Sequence, residues 1–281
     1  MRKDQVQGIE VTLHIGCPNW CEYCPQSLLL SRYQGPCDVT LAEFQQHFST
    51  VPVSKHLTFM GQGEQFVNPD ASKIMLWAHQ RGHQMSLSTT LSHTTHEDID
   101  ALAHIPFRTT VIHVPADDGK MRVVVDDAYL DRLKHAIAAW RHCDDFIISV
   151  FGIAHPKVRP IWAASGVPVV NYGLQDRAGN IPHLWHHRQS GKLPICGKLF
   201  VGAILPNGDV TICCNDYSME CVWGNLKQQT YASVFETDKF RAFIKSLESP
   251  DSDVICRRCN DSFKAVNAED RSRVSDSYEL R

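Results

Sequence analysis

Short runs rich in Val, Ile, Thr and Phe alternate with amphipathic stretches from residue 11 to about residue 173, and few folds are open to a chain written that way. The strand candidates are 11–16, 56–61, 84–90, 109–115, 145–151 and 167–173, because β-branched and aromatic side chains suit a pleated, half-buried surface. Helix candidates lie between them. The stretch 40–48 opens on Thr40 with Glu43 three residues on, a capping box. The stretch 70–81 stops at Gly82. A helix over 94–103 begins Thr-Thr-His-Glu, and 127–140 carries Leu130, Leu133, Ile137 and Trp140 on one helical stripe. A weaker helix covers 156–165. Strand–helix units in series imply a parallel sheet with helices packed on it. Six of them are too few to close an eight-unit barrel.

The rhythm stops over 174–194, where His183, His186 and His187 sit among Gly and Pro without the fixed spacing that metal ligation needs, so the stretch reads as a linker. A β-hairpin is predicted over 199–205 and 209–213 around Pro206-Asn207-Gly208, followed by a helix over 231–247 and by Cys256-Arg257-Arg258-Cys259. The expected division is a core over 1–180, a linker over 181–195, a small unit over 196–262 and a polar tail over 263–281. A net charge of −3 offers no basic field for nucleic acid or anionic lipid. No apolar run reaches membrane length, and Met1-Arg2-Lys3-Asp4-Gln5 lacks the apolar core of a signal peptide, so a cytoplasmic chain is expected.

Eleven cysteines in such a chain argue for metal rather than disulfides. Cys17, Cys21 and Cys24 fall within eight residues, spaced C-x3-C-x2-C, directly after the first strand candidate. Three thiolates on one loop can hold three irons of a 4Fe–4S cube, which usually takes four, so one iron is left open to a small molecule. A zinc knuckle is the plainer alternative, but zinc asks for a fourth N or S donor nearby. Glycines at 61 and 63, at the end of the second strand candidate, let backbone approach a ligand closely, and Glu64 follows as a carboxylate able to pair with an ammonium group. Cys196, Cys213, Cys256 and Cys259 make a second set of four, with Cys214 as the alternative to Cys213 and a structural zinc ribbon as the alternative to a cluster. Cys37 and Cys143 read as buried small apolar side chains.

The Cys17–Cys21–Cys24 motif, its place after a first strand and the Gly61-Gln62-Gly63-Glu64 stretch resemble the radical S-adenosylmethionine (SAM) superfamily. The resemblance implies a six-unit (β/α)6 partial TIM barrel, which agrees with the strand count. It implies an open-iron 4Fe–4S cluster on Cys17, Cys21 and Cys24 that chelates SAM and reduces it to methionine and a 5′-deoxyadenosyl radical. It places Tyr23 near the adenine and Gly61, Gly63 and Glu64 on the methionyl amine, although Gln65 stands where the family usually has proline. Ser88, Thr90, His113 and Ser149, on later strands, are the further SAM contacts it suggests. The pattern Cys196-x11-Gly208-x4-Cys213, then Trp223-Gly224-Asn225-Leu226 and Cys256-x2-Cys259, resembles the SPASM/twitch extension of the same superfamily, in its shortened form with one auxiliary 4Fe–4S cluster.

The expected reaction is hydrogen abstraction followed by oxidation or cross-linking of a small-molecule or peptide substrate, with a flavodoxin or ferredoxin as reductant. Relatives that act on peptides often carry a leader-recognition domain ahead of the barrel. Only about ten residues precede the first strand candidate, which favours a small molecule or a peptide delivered by a partner. Two other readings stand beside this one. A peptide epimerase would use a thiol, for which Cys221 is the candidate, as hydrogen donor. A non-enzymatic interaction module would hold two zinc ions.

Overall fold

The computed structural model describes residues 8–171, 173–174, 176–181, 184, 188–191, 193 and 202–262. Cys196, His183, His186, His187 and the tail from 263 therefore lie outside the described residues.

In chain order the core comprises β1 (Gly8–Val11), α1 (Gln26–Arg32), α2 (Leu41–His47), β2 (His56–Phe59), α3 (Ala71–Gln80), β3 (Met85–Thr89), α4 (His96–Leu102), β4 (Thr109–His113), α5 (Asp127–Trp140), β5 (Asp145–Val150), α6 (Arg159–Ser165) and β6 (Val169–Asn171). The C-terminal part adds β7 (Ala203–Ile204), β8 (Asp209–Thr211), β9 (Val222–Asn225), α7 (Tyr231–Val234) and α8 (Asp238–Glu248). The nine strands among the described residues form one sheet in the order β6-β5-β4-β3-β2-β1-β7-β8-β9. β1 to β6 are parallel, each beside its predecessor. β7 returns to the free edge of β1, parallel to it with Glu10 opposite Ala203, and β8 and β9 continue antiparallel. This is the six-strand parallel core with a C-terminal hairpin that the sequence implied.

The strands alternate between two environments. Leu57, Phe59, Leu87, Ile112 and Ile148 are buried on the helix-facing side with Ile74, Leu133 and Trp140. Thr58, Ser86, Ser88, Thr109, His113 and Ser149 point the other way, into the concave face. A period of two thus gives one apolar face and one face of small polar groups. Thr40 with Glu43 forms the capping box the sequence indicated, and the structure adds a second, Thr95 with Asp98, each contributing about 1 kcal/mol.

Three details differ from expectation. The first strand is Gly8–Val11 rather than 11–16, because beyond Thr12, whose N–H still donates to the Ile204 carbonyl, the chain leaves the sheet to reach the loop, held by the His14–Asp38 bridge. The helix expected over 231–247 is two helices, because Thr237 caps a new start through Phe240 N. Cys37 is exposed, whereas Cys143 is buried as expected. The C-terminal unit has its own aromatic packing, with Trp223 edge-on to Phe240 at 5.0 Å and against Phe243 at 5.5 Å. No described helix is long and apolar enough to cross a membrane.

Candidate active site

The loop carrying Cys17, Cys21 and Cys24 follows β1 and lies over the C-terminal ends of the parallel strands. There it is pinned rather than free. Asn19 Nδ2 donates to Thr90 Oγ1 at 3.0 Å, and the Asn19 carbonyl accepts from Arg122 N at 2.7 Å. Glu22 N donates to the Lys120 carbonyl at 2.9 Å. Between these anchors Trp20 is held at φ +41°, a left-handed conformation that a bulky residue adopts only where its surroundings impose it.

The three cysteines border one cavity of about 530 Å³. Tyr23, Gly61, Gly63, Glu64, Ser88, Thr90, His113 and Ser149 line the same cavity, so the structure brings every SAM-contact candidate together with the front cysteine trio. Tyr23 lies edge-on to Phe151, 4.7 Å between ring centroids. Glu64 is 4 % exposed. It accepts from Thr89 Oγ1 at 2.6 Å, Thr90 N at 2.7 Å and Thr90 Oγ1 at 2.5 Å. All three donors are neutral, so they orient the carboxylate without neutralising it, which suits a cationic group arriving from the cavity. His113 Nδ1 meets Ser149 Oγ at 2.8 Å across the β4–β5 pair. Burial, then the charge of Arg177, holds the His113 imidazole neutral down to about pH 4.

Two observations test whether the cavity fits a metal cluster with a polar cosubstrate. Burial pushes the Cys17 thiol up to about 11, with Glu64 and Cys24 adding to it. Burial and the neighbouring Cys24 push Cys21 up to about 12. Such thiols ionise when a bound metal supplies the compensating charge. Among the described residues no three Cys, His, Asp or Glu side chains converge on a single metal ion; a cube of four irons asks instead for one thiolate per iron. Secondly, Gln26 Oε1, both amide atoms of Gln62, His113 Nε2 and Arg177 Nε are buried without partners, and all five atoms belong to residues lining this cavity. An unpaired buried polar atom costs about 1–3 kcal/mol, so the cavity is built for a polar occupant.

Several residues that matter here carry no motif. Gln65, in the place of the usual proline, accepts from Leu13 N at 3.0 Å through Oε1 and donates to the Gly63 carbonyl at 3.1 Å, tying the Glu64 turn to the strand that leads into the cysteine loop. Asn68 Nδ2 donates to the carbonyls of Leu13 and Val39, each at 2.8 Å. Arg177 and Tyr217 reach the cavity from beyond the sixth strand and from the C-terminal unit. The departure from proline at Gln65 was the one signal in the sequence; Asn68, Arg177 and Tyr217 had none.

In the C-terminal set Cys213, Cys256 and Cys259 are all buried. Cys213 does not line the cavity and Cys214 does. Glu10, itself 4 % exposed, accepts from Cys214 N at 2.8 Å and from Cys214 Sγ at 3.2 Å. The neighbours thus sit in different surroundings, although neither is in a strand: β8 ends at Thr211, short of the expected 213, and Cys214 opens a turn. Cys221 lines a different cavity, with Trp223 and Lys239 on the outer side of the hairpin, and burial together with Asp216 pushes its thiol well up.

Comparison with known proteins agrees with this geometry. Residues 196–260 match the model of SPASM, an iron–sulfur cluster-binding domain. No curated protein sequence matches the chain. Among solved structures, BtrN in complex with AdoMet and 2-DOIA is similar with a TM-score of 0.57 at 17 % identity, over 87 % of this chain and 87 % of that one. Native anSMEcpe with bound AdoMet has a TM-score of 0.57 at 13 % identity, over 96 % and 99 %. SuiB of Streptococcus suis bound to the precursor peptide SuiA has a TM-score of 0.64 at 12 % identity, over 92 % of this chain and 70 % of that one. The chain shares the α/β fold of these AdoMet-bound structures, and its C-terminal unit matches the model of the SPASM iron–sulfur cluster-binding domain.

Proposed function

We propose that the chain is a radical SAM enzyme that oxidises or cross-links a small-molecule or peptide substrate. The observation that carries this reading is the meeting, in one cavity, of the Cys17–Cys21–Cys24 loop with a buried Glu64 carboxylate aimed by neutral donors. When bound, the front 4Fe–4S cluster supplies the electron that cleaves SAM to methionine and a 5′-deoxyadenosyl radical, and the C-terminal cluster supplies an acceptor for the electron a substrate radical gives up. Cys17, Cys21 and Cys24 hold the front cluster, and Cys196, Cys213, Cys256 and Cys259 the auxiliary one. Glu64 binds the methionyl ammonium, with Gly61 and Gly63 letting backbone approach it. Tyr23 flanks the adenine, and Ser88, Thr90, His113 and Ser149 offer polar contacts to the rest of the nucleoside. A flavodoxin or ferredoxin in the cytoplasm is the reductant. The division into a core over 1–180, a linker over 181–195, an auxiliary unit over 196–262 and a tail beyond is part of the same proposal.

The test is anaerobic reconstitution followed by dithionite and SAM. About eight irons per chain and formation of 5′-deoxyadenosine are expected. A colourless protein with two zinc ions, or SAM left intact by a reduced iron protein, ends the proposal.

A second reading, peptide epimerisation, is supported by one thiol, and it is Cys214 rather than Cys221. Cys214 lines the cavity with the front trio and Cys221 does not. In that reaction the Cys214 S–H gives its hydrogen to the substrate radical, and the resulting thiyl takes an electron from the flavodoxin or ferredoxin and a proton from water. Cys213→Ala is expected to remove the auxiliary cluster, lowering iron to about four, whereas Cys214→Ala keeps about eight. Reaction in deuterated water separates the two chemistries. A product two mass units lighter means oxidation. A product of unchanged composition carrying one deuteron, lost in Cys214→Ala, means epimerisation.

A further inference from the structure

Tyr217 belongs to the segment between Cys213 and Cys221 of the auxiliary unit, yet its hydroxyl lies 3.1 Å from Cys24 Sγ, a residue 193 positions away. Its ring is 1 % exposed and packs with Ile15, Leu29, Tyr33 and Leu205. The same short segment touches the auxiliary set. Tyr217 N donates to the Asn215 carbonyl at 3.0 Å, and Asn215 Nδ2 is 4.0 Å from Cys259 Sγ. One three-residue stretch therefore contacts a ligand candidate of each cluster.

We propose that Tyr217 is a positioning residue that sets the reduction potential of the front cluster from within the auxiliary unit, by donating its phenolic hydrogen to Cys24 Sγ. This rests on Cys24 being a cluster ligand, as proposed above. A free thiol and a phenol can each donate to the other, but a thiolate on iron has no hydrogen to give, so the phenol must be the donor. A phenol keeps its proton at neutral pH. A hydrogen bond to a ligand sulfur withdraws negative charge from it. The reduced cluster carries one more electron than the oxidised cluster and gains more from that withdrawal. Donation by Tyr217 therefore raises the potential and makes the front cluster easier to reduce. It also ties the front cluster to the C-terminal unit, which joins the core sheet where β7 pairs with β1.

The test uses the reconstituted full chain and two conservative variants. Tyr217→Phe keeps the buried ring and removes only the oxygen. Tyr33→Phe is the control from the same packing group, because its hydroxyl donates to the Pro36 carbonyl at 2.8 Å and not to sulfur. Front-cluster potentials are read by EPR-monitored redox titration, the front signal being the one that SAM perturbs. At the poise that half-reduces the wild-type front cluster, Tyr217→Phe is expected to show a reduced-to-oxidised ratio lower by up to about tenfold, which for one electron is 59 mV, with iron content unchanged. Tyr33→Phe is expected to match wild type. A Tyr217→Phe potential equal to wild type, or an equal shift in Tyr33→Phe, overturns the inference while leaving the SAM reading intact. Absence in wild type of any signal that SAM perturbs brings down both. A second readout needs no variant. Pulsed EPR of the reduced wild-type cluster in deuterated water is expected to show a strongly coupled exchangeable deuteron in addition to a weaker one from Gln26 Nε2, which lies 3.5 Å from the same sulfur, and absence of the stronger coupling rejects the hydrogen bond.

Discussion

Cys21→Ala is expected to leave the chain folded, to lower its iron from about eight to about four per chain, and to reduce 5′-deoxyadenosine formation by more than about 100-fold, beyond the usual cost of losing a mere outer-shell partner of a metal site. Cys21 is half-buried at the margin of the Tyr23–Met121–Ile181 packing group, so alanine removes one sulfur and little packing. Surface-margin changes of that kind shift stability by less than about 1 kcal/mol, and a thermal melt checks that the loss is of metal and not of fold. Iron and sulfide quantification, with chromatography of the nucleoside product, reads the rest. A Cys21→Ala protein with its full complement of iron means that the trio at 17, 21 and 24 is not the ligand set.

Gly63→Ala is expected to be strongly damaging for a single added methyl group. A Cβ at Gly63 falls 2.2 Å from the His14 carbonyl oxygen and 3.2 Å from the carbonyl carbon. Both atoms are backbone, fixed by the run of hydrogen bonds from Leu13 to Gln65 and Asn68, so neither side can turn away. Overpacking of this kind costs about 1–3 kcal/mol and occasionally more, and in a chain of this size each kcal/mol lowers Tm by about 2–4 °C. A fall of roughly 5–10 °C is expected on that scale. The second effect is functional. Relief of the clash moves Glu64 away from Thr89 and Thr90, so SAM affinity is expected to drop at least about tenfold, the equivalent of one charge-assisted hydrogen bond. Gly82→Ala is the comparison. Gly82 sits at φ +95° with nothing within 4 Å of a Cβ, so it carries backbone strain alone; stability falls modestly and SAM binding stays at the wild-type value. Equal SAM affinity in Gly63→Ala and wild type means that the Glu64 turn is not part of the binding surface.

Local chemistry was readable where it repeats. The strand–helix alternation, the capping box at Thr40 and the apolar stripe of α5 each follow from spacing that a few residues determine among themselves. The strand ends that line the cavity were equally readable, because a period of two sends Ser88, His113 and Ser149 to one face once the strands are assigned. Boundaries were less so. Residues 13–16 have the composition of a strand but bond to Asp38, Gln65 and Asn68 instead of extending the β1 ladder, a choice made by partners distant in sequence. The division of the last helical stretch turned on Thr237, whose side chain caps α8 more favourably than its β-branched body continues α7.

By itself the sequence determined the chemistry on offer: a trio of thiols on one loop, a glycine-flanked carboxylate one strand later, and a second cysteine set inside a hairpin pattern. Spacing within a short segment controls which side chains can act together, and that information is local. Tertiary structure alone decided which of two adjacent thiols faces the cavity, that Glu10 receives Cys214, that Arg177 reaches the same space, and that Tyr217 touches Cys24. The Cys214 and Tyr217 contacts belong to the unit that joins the sheet where β7 pairs with β1, a contact between segments nearly 200 residues apart. No local propensity encodes such a contact, because it forms only when the whole sheet has chosen its strand order.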